Sequence, residues 1–60
     1  MDRFISLAEA ERLTSLKKSK LYMMMKEGDF PRSRVISAGR RAWLASEIQS
    51  WIAQRAAVTN

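Results

Sequence analysis

The tetrapeptide Gly28-Asp29-Phe30-Pro31 sets the strongest limit on this chain. Glycine accepts the left-handed backbone conformation that closes a helix, because it has no Cβ to clash. Proline lacks an amide hydrogen, so a helix cannot resume through Pro31. Any helix before residue 28 must stop there, and the chain beyond must become something else. Sixty residues leave room for short elements in one small domain. Cysteine and histidine are both absent, so neither a disulfide nor a Cys/His zinc site can staple the fold. Packing, or a partner subunit, has to supply the stability.

Upstream of that stop, Ser6-Leu7-Ala8-Glu9 fits a capping box. The serine side chain accepts from the third helical amide, and the glutamate reaches back to the serine N–H. Leu7, Ala10 and Leu13 recur at a spacing of three, which predicts a short helix with one buried stripe. Glu9 and Arg12 lie on its outer face, and Thr14-Ser15 breaks the pattern. The next helix starts at Lys17 or Lys18 and runs to Glu27. At about 100° per residue, Leu21, Met24 and Met25 share one face. That is the ordinary use of methionine as a core gap filler. Ser19, Tyr22, Met23 and Lys26 fall on the opposite side.

Downstream, residues 32 to 43 read RSRVISAGRRAW and change character. Val35 and Ile36 are β-branched, and Ala38-Gly39 offers a turn, although not one of the strongest hairpin pairs. The expectation is a β-hairpin with strands at 33–37 and 40–43. A last helix begins near Leu44 to Ser46, where Ser46-Glu47-Ile48-Gln49 fits a second capping box. Ile48, Trp51, Ile52 and Ala56 share its apolar face, with Leu44 joining them. Trp43 and Trp51 are expected to be largely buried against the first two helices. Residues 1–57 then form one domain, and 58–60 fray. The fold class is mostly α with a small β-hairpin: three short helices and a wing.

Several kinds of chemistry are excluded. Without histidine or cysteine, the usual bases and nucleophiles are missing. The acids are Asp2, Glu9, Glu11, Glu27, Asp29 and Glu47. They make no metal-binding pattern, and each suits a cap, a first-turn charge or a solvated face. Gly28 and Gly39 are too far apart for a phosphate loop. The expectation is a protein that is not an enzyme and needs no cofactor or metal. No apolar run approaches the roughly 20 residues of a membrane span. Met1-Asp2-Arg3-Phe4 lacks a signal-peptide pattern, so the expected location is the cytoplasm.

Charge supplies the positive evidence. Lys and Arg number 11 against 6 Asp and Glu, for a formal net charge of +5. Such an excess favours a polyanion, nucleic acid ahead of an anionic membrane surface. The two early helices, joined by Thr14-Ser15-Leu16, read as a helix-turn-helix. Its second helix would enter the DNA major groove. Lys17, Lys18 and Lys20 then approach phosphates, where the helix amides add partial positive charge. Ser19, Lys20, Tyr22 and Met23 are expected nearest the base edges, with Lys26 on the same outward side. The hairpin supplies Arg32, Arg34, Arg40 and Arg41 as a second basic element, in the manner of a wing. Lys18 and Arg41 are expected to contact mainly the backbone.

These stretches, LTSLKKSKLYMMMKEGDFPR with AWLASEIQSWIAQR behind it, resemble the AlpA family of phage and prophage regulators. That family is related to MerR-type winged helices and excisionases. The likeness runs from about Arg3 to Arg55. It is carried by Leu13-Thr14, Ser19-Lys20-Leu21-Tyr22, Gly28-Asp29-Phe30-Pro31, Trp43, Ser46-Glu47-Ile48 and Trp51-Ile52. It implies a bacterial, DNA-binding protein that regulates transcription, excision or both for a mobile element. Three positions depart from the family pattern. Ser15 stands where the family often has glycine, so a positive-φ turn would be strained. Lys17 replaces a capping Ser or Thr, at a cost on the order of 1 kcal/mol, unless Ser15 caps an earlier start. Met23 replaces a polar residue, often arginine, and could meet a thymine methyl or a partner protein.

Two functions share this reading head. One is a sequence-specific regulator of transcription on double-stranded DNA. The other is a recombination directionality factor, or excisionase, that bends attachment-site DNA for an integrase. A third, from another class, is a protein-interaction module that no longer reads DNA. A basic amphipathic membrane binder fits worst, because the helices are short and the tryptophans are better used in a core. A single module buries only about 600–1,000 Å² on DNA. A homodimer or a cooperative row of protomers is therefore expected, with integrase or the transcription machinery as further partners.

Overall fold

A computed structural model describes residues 2–57. The expected fraying of 58–60 lies outside the described residues. The order of elements is β1 (Phe4–Ile5), α1 (Leu7–Thr14), α2 (Lys18–Glu27), β2 (Arg34–Ser37), β3 (Arg40–Leu44) and α3 (Ala45–Ala57). Three helices surround a small antiparallel sheet, as a winged helix-turn-helix requires. The hairpin falls where the sequence places it. The sheet gains a strand that periodicity did not reveal: β1 pairs with β3, Phe4 opposite Leu44 and Ile5 opposite Trp43. Two residues are too few to show an alternating pattern. The strand order is β1-β3-β2, so β3 is central.

The core is small and aromatic at one end. Ile5, Ala10, Leu21, Met24, Phe30, Trp43 and Ile48 form one buried cluster. Phe30 sits edge-on to both tryptophans, with ring centroids 5.6 Å from Trp43 and 4.9 Å from Trp51. Such pairs contribute about 0.5–1.5 kcal/mol beyond their buried area. Each indole N–H has a backbone acceptor: Trp43 donates to the Pro31 carbonyl and Trp51 to that of Asp29. The stop after α2 is thus held from both sides. Trp43 is fully buried, as expected. Trp51 is only half-buried: Phe30 packs against its ring, and the Arg55 guanidinium lies 5.0 Å from its centroid.

The caps explain where the helices begin and end. Ser6 caps α1 by accepting from the Glu9 amide. The return half of that box does not form. Glu9 takes a bidentate pair with Arg3 instead, at 3.2 and 2.7 Å. The expected buried stripe of α1 is also shorter, since Leu13 is 47% exposed. Its last turn lies beside a surface cavity rather than under another element. The second capping box is displaced. The α3 helix already starts at Ala45, and Glu47 accepts from the Leu44 amide. Asp2 accepts from both the amide and the hydroxyl of Ser46, across 44 residues. The cap that Ser46 was expected to give comes from the start of the chain.

The α1–α2 connection has the anticipated strain. Ser15 adopts φ 61° and ψ 22°, and its amide bonds the Glu11 carbonyl at 2.8 Å. It closes α1 in the left-handed region and does not cap an earlier start of α2. Lys17 takes the N-cap position of α2 without a side-chain cap. Gly28 closes α2 at φ 82°. Its amide is 3.2 Å from the Met25 carbonyl, and the Asp29 amide is 2.8 Å from that of Met24. This is the arrangement of a Schellman-type stop.

Candidate nucleic-acid interface

The outward face of α2 follows from what the core takes. Leu21 and Met24 are buried and Met25 is partly so. Ser19, Tyr22, Met23 and Lys26 are left exposed. Met23 is 52% exposed, on the side the spacing assigns it. A single exposed methionine is ordinary on a protein surface.

The N-terminal end of α2 is open to an anion. Its first turn holds no acid, and its N-cap side chain makes no hydrogen bond. The earliest intrahelical bond is Leu21 N–H to the Lys17 carbonyl, at 3.0 Å. The amides before Leu21 lack an intrahelical partner, as in any helix. Lys17, Lys18, Ser19 and Tyr22 border a shallow cavity of about 520 Å³ there. Glu11, from α1, lies on its far rim. Among the described residues the ion pairs are Arg3–Glu9 and Arg34–Glu47. Lys17, Lys18, Lys20, Lys26, Arg32 and Arg40 are therefore not engaged by any described acid.

The wing meets α2 along a second cleft of about 400 Å³. It is lined by Tyr22, Met25, Lys26, Arg32, Ser33 and Arg41. Arg41 does not swing freely. Its Nε donates to the Ser33 hydroxyl at 2.9 Å, and a terminal nitrogen donates to the Ser33 carbonyl at 3.2 Å. Ser33 itself is buried. Sequence reasoning missed this serine, whose role appears only once the hairpin register brings it to Arg41. Arg34 is less available than expected, because Glu47 holds it at 2.9 Å. Both are partly exposed, so the pair is weak enough for a phosphate to compete. Arg40 stands exposed beside the turn.

Lys20 is set apart from this group. It lines a third cavity of about 480 Å³ with Leu13, Leu16, Met24, Trp51 and Ile52. On the helical wheel it lies on the flank opposite Tyr22. The structure brings Tyr22 and Lys26 to Arg32 and Arg41, and does not bring Lys20 to them. Among the described residues no three His, Cys, Asp or Glu side chains gather to hold a metal ion. No described helix is long and apolar enough to cross a membrane.

A family model described as "Prophage CP4-57 regulatory protein (AlpA)" matches residues 3–56. An uncharacterized protein, ORF88, of Enterobacteria phage P4 is 34% identical over 56 residues. The matched region covers 93% of this chain and 64% of that relative, so the chain spans less than two thirds of the relative's length. No solved structure matches the chain.

Proposed function

The chain belongs to the AlpA family of prophage regulatory proteins, and from that premise we propose that it reads double-stranded DNA in a sequence-specific way to regulate a phage or mobile element. Residues 1–57 are then the DNA-binding domain. One observation carries the reading: the exposed face of α2 meets two of the four hairpin arginines around a single cleft, through Tyr22, Lys26, Arg32 and Arg41. A major groove about 12 Å wide accepts one helix. With α2 lying in it, Ser19, Tyr22 and Met23 face base edges. Lys17 and Lys18, with the open amides, meet phosphates at one end. Lys26, Arg32 and Arg41 meet them at the other. Lys20, on the flank, reaches the backbone rather than a base.

The arginine–serine contact supports this division of labour. A guanidinium pinned by Ser33 presents its remaining N–H groups in a fixed direction. That suits a phosphate at a set register and fixes how the helix enters the groove. A module of this size needs company for useful affinity, so two or more protomers side by side on the DNA belong to the proposal. The test is a titration of the protein on a site selected from random duplexes and on unselected duplex. Binding to both, tighter on the selected site, is expected. A folded protein that binds neither at low salt overturns the reading in favour of a protein-interaction module.

A further inference from the structure

The third cavity, of about 480 Å³, is an open groove, and none of Tyr22, Lys26, Arg32 or Arg41 lines it. Its apolar surface comes from three elements of the fold: Leu13 at the end of α1, Leu16 in the connection, and Trp51 and Ile52 on α3. Leu13 is 47% exposed and lies outside the core cluster. The uncharged polar side chains along the groove are already engaged. Thr14 donates to the Ala10 carbonyl at 2.7 Å, and the Trp51 indole donates to that of Asp29. Two charged side chains line it, Lys20 and Arg55, and among the described residues no acid does. The cavity beside Gly28–Pro31, by contrast, has Asp29 and Glu47 on its walls, and the one at the start of α2 has Glu11. Neither described ion pair engages Lys20 or Arg55. The Arg55 guanidinium instead rests over the Trp51 ring, which keeps a cation beside the hydrocarbon.

We propose that this groove docks an acidic amphipathic helix of a protein partner. The inference goes beyond the DNA reading and does not depend on it. A hydrocarbon trough with cations and no carboxylate is complementary to a helix whose apolar stripe is flanked by acids. Apolar side chains at i, i+3 or i+4 and i+7 of such a helix cover Leu13, Leu16 and Ile52. Its carboxylates take charge-assisted hydrogen bonds from Arg55 and Lys20. A phosphate backbone would answer the cations and leave the leucines in water. A second copy of this chain fits worse, because it carries a net charge of +5 and brings like charge to the groove. Lys20 stands between the groove and the DNA backbone, so the test leaves it unchanged.

The test uses a synthetic peptide of about 14 residues, locked as a helix, with leucines along one face and glutamates on both sides of it. A second peptide carries lysine in place of every glutamate. Binding is read by fluorescence anisotropy without DNA, and the contact surface by NMR shifts of the protein. The parent is expected to bind the acidic peptide at least about tenfold more tightly than the lysine peptide. Leu13→Ser should weaken the acidic peptide by on the order of tenfold, and Arg55→Gln should weaken it less. Both side chains are exposed, so both variants should fold, which circular dichroism checks. Leu13→Ser should keep the parent's affinity for duplex. The shifts should centre on Leu13, Leu16 and Ile52. Equal binding of the two peptides, or of neither, overturns the groove and leaves the DNA reading standing. So does an acidic peptide that both folded variants hold as the parent does. Shifts confined to Tyr22, Lys26 and Arg32 overturn it too, since the peptide then mimics DNA on the basic face. If Leu13→Ser turns a dimer into a monomer in sedimentation, the occupant is a second copy and the proposal is wrong. A parent that binds the peptide in the groove but no duplex overturns the DNA reading alone. The parent's own shift map decides the case even if a variant fails to fold.

Discussion

The indole N–H of Trp43 donates to the carbonyl oxygen of Pro31 at 2.6 Å, and so fastens the wing to the segment that leaves α2. The bond spans 12 residues and joins the two halves that Gly28–Pro31 separates. Phe30 lies against the same indole. The spacing between α2 and the hairpin is therefore fixed by buried aromatic contacts rather than by a flexible loop.

Trp43→Ala is expected to cost about 3–5 kcal/mol, because a fully buried indole is lost and a cavity left. That approaches the whole stability of a domain this size. Trp51→Ala should cost less, about 2–3 kcal/mol, since Trp51 is only half-buried. Chemical denaturation followed by circular dichroism ranks the two. Equal midpoints for both variants and the parent would refute the packing described here.

DNA binding should weaken with salt. With about four to six phosphates neutralised, log K should fall against log salt with a slope of roughly −4 to −5. Lys18→Ala should weaken selected and random duplexes alike and reduce the slope by about one. Tyr22→Ala should cost about 1–3 kcal/mol on the selected site and spare random DNA. Lys20→Ala separates two placements. Loss on all sequences supports its position on the flank, whereas loss on the selected site alone would put it at a base edge.

Ser15 and Lys17 offer gains in stability. Ser15→Gly should raise the unfolding free energy by about 0.5–1 kcal/mol, because φ 61° is strained for serine and not for glycine. Lys17→Ser should add a comparable amount through an N-cap bond, yet weaken DNA binding by removing a cation. Thermal melts and titrations on the same samples check both halves. A Lys17→Ser protein that gains stability and keeps full affinity would remove Lys17 from the interface.

Acid should loosen two carboxylate contacts, one of them across 44 residues. The hydroxyl and amide of Ser46 hydrogen-bond Asp2 and lower its pKa, and the Arg3 guanidinium does the same for Glu9. Each folded-state value lies below the unfolded one. The stabilisation is thus present above the usual carboxylate range and is lost as pH falls through the lowered values. Asp2 is exposed and Glu9 only partly buried, so the effect is small and weakens in salt. Asp2→Ala and Glu9→Gln should each flatten the fall of melting temperature below about pH 4. An acid limb unchanged in both variants would contradict these contacts.

The helices and their stops are legible in the residues themselves. Ser6 caps, Gly28 ends and Pro31 forbids resumption through local backbone chemistry, which needs no distant partner. The spacing of Leu21 and Met24 also sufficed to turn Tyr22 and Met23 outward, because a helix has one period and this one has a single apolar face. Tertiary structure decided what depends on residues far apart in the chain. Strand β1 exists only because β3 offers it an edge. Asp2 caps the last helix from 44 residues away, and so displaces the capping role read into Ser46. Trp51 stays half-exposed, with Phe30 against its ring and Arg55 over it. Arg41 is pinned to Ser33 across the hairpin, and Arg34 is engaged by Glu47 of α3, 13 residues away. A charge in a sequence is only a count; its direction is set by the neighbours that folding brings to it.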